Sequence, residues 1–176
     1  MLQPQSADFI KQLKQSTGIS RPMALPSLTK LVVNCRVPDA KDSQEALAAA
    51  VEEIAQITGQ KPSLCLAKKS VSTFKVRYRD PLALKVTLRG RRMYHFIEKL
   101  FNLVLPRLRD FKGLSTSSFD GHGSYNLTIK DHTNFPEVNL NKVNKIRSLQ
   151  VTLCLRASSQ EHAKMLLSAL GLPWKK

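Results

Sequence analysis

An α+β fold, with a mainly antiparallel sheet and helices packed on one of its faces, is what this sequence predicts. Three observations carry the prediction. Short segments of period-two alternation recur, as in "LTKLVVNCRV" and "LALKVTLRG". Capped segments with helical apolar spacing stand between them, as in "DSQEALAAAVEEIAQITG". The order is helix, strand, helix, strand, strand, helix, strand, strand, helix, which lacks the regular strand–helix alternation of a parallel sheet.

Each element follows from its own residues. Residues 6–15 read as a short helix, with Ser6 as a cap, Phe9 and Leu13 four apart, and Gly18 beyond. Pro22 and Pro26 then hold the chain extended. Over 28–37, Leu31, Val33 and Cys35 point one way while Lys30, Asn34 and Arg36 point the other, the signature of a half-buried strand. The next helix is capped by Asp42 or Ser43, carries the stripe Leu47, Ala50, Val51, Ile54 and Ile57, and stops at Gly59. Residues 63–68 predict a strand, and 70–81 a long, very basic loop closed by Asp80-Pro81. In 82–90 the alternation turns Leu82, Leu84, Val86 and Leu88 toward a core and Lys85, Thr87 and Arg89 away from it. A helix over 92–105 points Met93, Phe96, Ile97, Leu100 and Val104 inward, with Pro106 near its end. The stretch "DFKGLSTSSFDGHGSY" reads as loop, followed by a strand over 124–130 and an irregular segment over 131–146. The last strand covers 148–156, with Leu149, Val151, Leu153 and Leu155 on one side, and the last helix runs from a cap at Ser159 to Gly171. Nothing reads as a repeat, a linker or a low-complexity tract, so one domain over 1–176 is expected.

Charge narrows the partners. The 176-residue chain has a formal net charge of +15 and a pI near 10.1, which points to polyanions. Residues 59–92 hold ten Lys and Arg against one Asp. A membrane-surface protein concentrates such charge on an amphipathic helix or a tail. Here it lies mostly in sheet-forming segments, which favours nucleic acid. No run of 18 apolar residues suggests a membrane span, and the N-terminus lacks the apolar centre of a signal peptide. Cys35, Cys65 and Cys154 are odd in number and far apart, as free thiols in a reducing compartment are. Each lies in an apolar, strand-like run and reads as a small buried hydrophobe.

Two constellations fit RNA. Asn34 and Thr87, in phase with Lys85 and Arg89 on the polar side of their strands, supply short hydrogen-bonding groups beside cations. A merely solvated sheet face is the bland alternative. In the basic loop, Lys68, Lys69, Lys75, Arg77 and Arg79 alternate with Phe74 and Tyr78, so phosphate neutralisation and base stacking can act together. A flexible loop reaching for a second RNA is the expectation, and docking of Phe74 and Val76 onto the core is compatible with it. The aromatic consensus of an RNA-recognition motif is missing. Catalysis has little support: His95, His122, His132 and His162 are scattered, and there is no CxxC, GxxxxGK[ST] or GxSxG. Asp120 and His122 sit in a Gly-rich stretch that turn formation explains. No catalytic residue, metal or cofactor is expected. An RNA-processing enzyme using His122 and a nonspecific nucleic-acid packaging protein are the readings from other classes.

Eight ordered short matches then identify a resemblance. "GQKP", "KSV", "FKVR", "KVTLRGRRMYHFIEKL", "PRLRDFKGL", "SFDGHGSY", "FPE" and "LLSALGLPWKK" resemble the bacterial-type universal large-subunit ribosomal protein five family, whose members bind 5S rRNA. The resemblance covers essentially the whole chain and is densest over 59–137. It implies a non-catalytic protein of the central protuberance, binding 5S rRNA through the sheet's polar side and touching large-subunit rRNA. Carried over by position, the 5S-binding residues are Asn34, Gln60 and Thr87, with Lys61, Phe74 and Arg89 nearby. The loop at about 69–83, with Lys69, Lys75, Arg77 and Arg79, resembles the family's finger that approaches P-site tRNA. Segments 107–113 and 131–147 correspond to the region facing small-subunit protein thirteen across an intersubunit bridge. The chain departs from the family pattern at "CRVPDAK", at Arg79-Asp80-Pro81 and through its first twenty-five residues. Such drift suits an organelle, a mitochondrion first, with a bacterial cytoplasm or a plastid stroma as alternatives.

Overall fold

The structure, a computed structural model, describes residues 7–19, 21–41, 43–109, 111–120, 123–140, 143 and 145–175. Ser6, Asp42 and His122, named above, lie outside the described residues. The elements are α1 (Ala7–Thr17), β1 (Ser27–Arg36), α2 (Gln44–Thr58), β2 (Ser63–Leu66), β3 (Pro81–Leu88), α3 (Gly90–Lys99), α4 (Leu105–Arg107), β4 (Tyr125–Ile129), β5 (Leu149–Arg156) and α5 (Gln160–Ala169). A π-helical turn, Leu100–Val104, carries the helix begun by α3 on into α4. The five strands form one antiparallel sheet in the order β2-β3-β1-β5-β4, and the class is α+β as predicted.

The alternation places side chains as expected. Leu31, Val33, Cys35, Leu84, Val86, Leu88, Leu149, Val151 and Leu153 are all buried, while Asn34, Arg36 and Lys85 are exposed. Ser43 caps α2 by accepting a hydrogen bond from the Ala46 N–H at 3.2 Å. Gly59 ends it in the left-handed region at φ 66°, a conformation that costs glycine little. The π turn adds a residue to one helical turn, so Leu100, Phe101, Val104 and Leu105 are all buried where regular spacing predicted two of them. Burial corrects the cysteine reading: Cys35 is buried, but Cys65 and Cys154 are half-buried on the polar sides of their strands. Burial pushes the Cys35 thiol up to about 11, against a lowering by Arg147.

The chain divides into two compact units. The first comprises residues 1–31, 88–127 and 152–176. Its core draws on Leu13 of α1, Met93, Phe96 and Ile97 of α3, and Leu166 and Leu167 of α5. The C-terminal segment is fastened here: the Leu114 N–H donates to Pro173 O at 2.9 Å and the Lys175 N–H to Leu114 O at 3.0 Å. Between them Trp174 stacks on Phe119 at 6.0 Å, meets Tyr125 edge-on at 5.6 Å, and donates its indole N–H to Ser168 Oγ at 2.7 Å.

The second unit comprises residues 32–87 and 128–151. Ala50, Ile54 and Ile57 of α2 are buried in it together with Val33, Val86 and Phe135. The irregular segment after β4 is anchored by charge. Arg147, 5% exposed, places Nη1 2.7 Å from Glu53 Oε2 on α2. The Arg147 backbone N–H donates to Nδ1 of the fully buried His132 at 3.1 Å, so the imidazole proton resides on Nε2. Nε2 lies 3.2 Å from the same Glu53 oxygen, within electrostatic reach but off the line of a hydrogen bond. Burial lowers the His132 pKa, with Glu53 opposing and Arg147 reinforcing the shift. The ring is therefore neutral near pH 7.

Candidate nucleic-acid interface

The second unit brings several of the sequence-predicted residues into two groups. Gln60 follows the left-handed turn at Gly59, and its backbone N–H is received by the buried Thr58 hydroxyl at 3.4 Å. From there its side-chain amide reaches β3 and donates to the Thr87 carbonyl at 3.4 Å. Thr87 is half-buried on the polar side of β3, two residues from the exposed Lys85. Lys61, next to Gln60, is exposed. The β2–β3 register sets Ser63 opposite Lys85, and the Ser63 hydroxyl donates to Lys85 O at 3.0 Å. An uncharged amide held in place beside lysines is suited to hydrogen-bond ribose and base edges while the cations meet phosphates.

The second group surrounds an open cleft of about 670 Å³ lined by Asn34, Arg36, Lys68, Lys69, Phe74 and Val76, among others. Asn34 is exposed on β1, and Phe74 is 70% exposed. Phe74 therefore does not dock into the core, as one sequence reading allowed; Val76 is half-buried. Arg89 belongs to the first unit, as the extended residue before α3 (φ −141°, ψ 162°), with its side chain exposed.

The segment between β2 and β3 differs from the loop predicted for it. It is a closed hairpin. Ala67 donates to Asp80 O and Arg79 to Ala67 O, both at 2.9 Å, and Val71 and Val76 exchange bonds of 2.9 and 3.1 Å. Side chains finish the pairing: Ser70 Oγ accepts from the Tyr78 N–H at 2.9 Å, and the Asp80 carboxylate from the Arg77 N–H at 2.7 Å. Lys75 (φ 50°) and Arg79 (φ 68°) make its left-handed corners. No apolar alternation announces such a hairpin, since beyond the Val71–Val76 pair a hydroxyl, a carboxylate and two positive-φ residues complete it. Asp80, the single acid of 59–92, is committed to the backbone. Lys68, Lys69, Lys75, Arg77 and Arg79 are all exposed. Tyr78 is 60% exposed, with the Arg79 guanidinium 5.3 Å from its ring centre, an arrangement on which a base can stack.

The other candidates resolve simply. Asp120 Oδ1 accepts from the Ser124 N–H at 2.6 Å, so it builds a turn as predicted. Among the described residues no cluster of His, Cys, Asp and Glu could hold a metal ion. No described helix is long and apolar enough to cross a membrane. The Glu53–His132–Arg147 group, with His132 and Arg147 buried and Glu53 half-buried, escaped sequence reasoning, because its members lie up to 94 positions apart with no local pattern linking them.

Comparison with known proteins identifies the family. Residues 21–77 match the family model described as ribosomal protein L5, and residues 81–174 match the model of that ribosomal family's C-terminus. The chain is 45% identical over 169 residues to the large ribosomal subunit protein uL5 of Thermoanaerobacter sp. (strain X514), covering 96% of this chain and 94% of that one. It is 47% identical over 167 residues to uL5 of Clostridium botulinum (strain Loch Maree / Type A3), covering 95% and 93%. With uL5 of Dictyoglomus turgidum (strain DSM 6724 / Z-1310) it shares 45% identity over 169 residues, covering 96% and 94%. The chain belongs to the ribosomal protein L5 (uL5) family and is a structural constituent of the large ribosomal subunit, not an enzyme.

Proposed function

We propose that this chain binds 5S rRNA and large-subunit rRNA in the central protuberance, and that uncharged groups on its sheet set the register of the 5S contact. The observation that carries this reading is the Gln60 amide held on the Thr87 carbonyl, in the same unit as the cleft that Asn34 shares with Phe74. Gln60, Thr87 and Asn34, with Lys61, Phe74 and Arg89, form the 5S rRNA-binding set in this reading. The hairpin, through Lys69, Lys75, Arg77 and Arg79, reaches P-site tRNA. Segments 107–113 and 131–147 meet small-subunit protein thirteen across the bridge; the exposed Leu140 and Ile146 in the second of these suit a protein partner better than RNA. The match of nearly the whole chain to bacterial proteins favours a ribosome in the bacterial cytoplasm over one in the mitochondrial matrix or a plastid.

Competition binding tests the central claim. Cognate 5S rRNA competes against tRNA and an unrelated RNA of similar length at several salt concentrations. All three affinities fall with salt, because phosphate neutralisation releases counterions. A 5S preference that persists at high salt is expected. Thr87→Val or Asn34→Ala costs about 1–3 kcal/mol of 5S binding by leaving an RNA polar group unpaired. Affinity unchanged in both variants rejects the sheet assignment, and equal affinity for all three RNAs favours nonspecific packaging. Replacing Arg77 and Arg79 by alanine is expected to leave 5S affinity within about twofold, since an uninvolved surface charge shifts binding little, while impairing tRNA handling in reconstituted ribosomes. A large loss of 5S affinity in that double variant refutes the division of labour.

A further inference from the structure

The polar side of the sheet carries a second uncharged pair, in the first unit and outside every residue assigned above. On β4, Asn126 lies between the buried Tyr125 and Leu127; on β5, Thr152 lies between the buried Val151 and Leu153. Both therefore project from the sheet's other side, and both are half-buried. The strands are neighbours, and the Thr152 hydroxyl donates to Asn126 Oδ1 at 2.6 Å. That bond does more than tie two strands together. It anchors one end of the Asn126 carboxamide on a neighbouring strand, in the orientation whose oxygen accepts. With Oδ1 engaged by Thr152, the Nδ2 hydrogens are the end of Asn126 that this bond leaves unused. Thr29 Oγ1 donates to Cys154 O at 2.8 Å, fixing β1 to β5 at the next outward position along β5. The same strand ends in the exposed Arg156, and Lys30 of β1 is half-buried. A neutral amide donor on strands that also carry cations suits what an A-form RNA minor groove presents, namely 2′-hydroxyls and base-edge acceptors flanked by phosphates.

We infer that Asn126 is a further rRNA-reading residue and that Thr152 is its positioning residue. Asn126 supplies N–H donors to a ribose 2′-oxygen or a minor-groove base acceptor. This rests on the reading that the chain binds rRNA through the polar side of its sheet, but on none of the residues named for 5S binding.

The test uses the full chain against two probes, 5S rRNA and protein-free large-subunit rRNA, with melting temperature measured for every variant. Asn126→Ala is expected to weaken binding to at least one probe by about tenfold, the upper range for one net hydrogen bond. The dependence on salt should keep its slope, because no phosphate contact is lost. Thr152→Val is expected to weaken the same probe by about threefold, and Thr152→Ser, which keeps the hydroxyl, to stay within about twofold of wild type. Asn126→Ala binding both probes as wild type does overturns the inference, as does a lowered melting temperature with unchanged affinity of the folded protein. If Thr152→Val fails to fold, Asn126→Ala and Thr152→Ser decide alone. Asn34→Ala and Thr87→Val in the same series separate the two readings. Loss in those variants with none in Asn126→Ala removes this inference and leaves the proposed 5S set standing. Loss in Asn126→Ala alone supports this inference and removes that set. No loss in any variant removes both.

Discussion

Replacing Glu53 with alanine is expected to lower the stability of the fold by about 3–5 kcal/mol, the usual cost of stripping a buried charge of its partner. Glu53 Oε2 receives Arg147 Nη1 at 2.7 Å and stands 3.2 Å from His132 Nε2. Removing it leaves Arg147 buried with weakened compensation, since its other side-chain contact is Ala46 O at 3.5 Å. Glu53→Gln, which keeps an acceptor but no charge, is expected to lose less. Urea unfolding measures the difference, and a loss below about 1 kcal/mol would show that water reaches the guanidinium. The same group gives stability a pH dependence. His132 in the native state has a pKa below the ordinary histidine value of 6.5. As pH falls through that value the unfolded chain takes up a proton that the native chain resists, so stability declines on acidification. His132→Asn, whose Oδ1 can accept the Arg147 N–H in place of Nδ1, is expected to flatten that part of the profile.

Gly113→Ala is the second large effect, at about 3 kcal/mol. Gly113 has φ +92°, and a Cβ there would lie 2.6 Å from Lys175 N and 2.7 Å from both Lys175 Cα and Trp174 C. All three are backbone atoms, so no side-chain rotation relieves the overlap. A left-handed backbone costs an L-residue roughly 1–2 kcal/mol, and forced displacement of packed neighbours adds about 1–3 kcal/mol. The C-terminal segment should come away from Leu114, taking the chain's single tryptophan out of its aromatic contacts. A fall in melting temperature of roughly 6–12 °C follows for a chain of this size, with red-shifted Trp174 emission. Unchanged emission and melting would mean that the segment is not held as described.

Whatever depends on one element's own residues was legible in the sequence. Strand phase put Leu31, Val33 and Cys35 inside and Asn34 outside; Ser43, Gly59 and Ser159 marked helix ends where they occur. Alternation likewise put the candidate residues Asn34 and Thr87 on the polar sides of their strands, exposed and half-buried respectively. What stayed hidden is non-local or made by side chains. The bond that positions Gln60 on Thr87 spans 27 positions, and that between Thr152 and Asn126 spans 26. The hairpin read as loop because, beyond the single Val71–Val76 pair, its closure uses Ser70 and Asp80.

Those corners of the hairpin also carry a conflict between folding and charge. Lys75 and Arg79 occupy left-handed backbone that glycine or asparagine adopts more readily. A chain shaped by stability alone would place one of those residues at each corner and gain about 1 kcal/mol per position. It holds a lysine and an arginine there instead. Among the described residues of the second unit, the non-glycine positions in left-handed backbone are thus both exposed cations, and a thermostabilising change to glycine at either would remove charge from the hairpin.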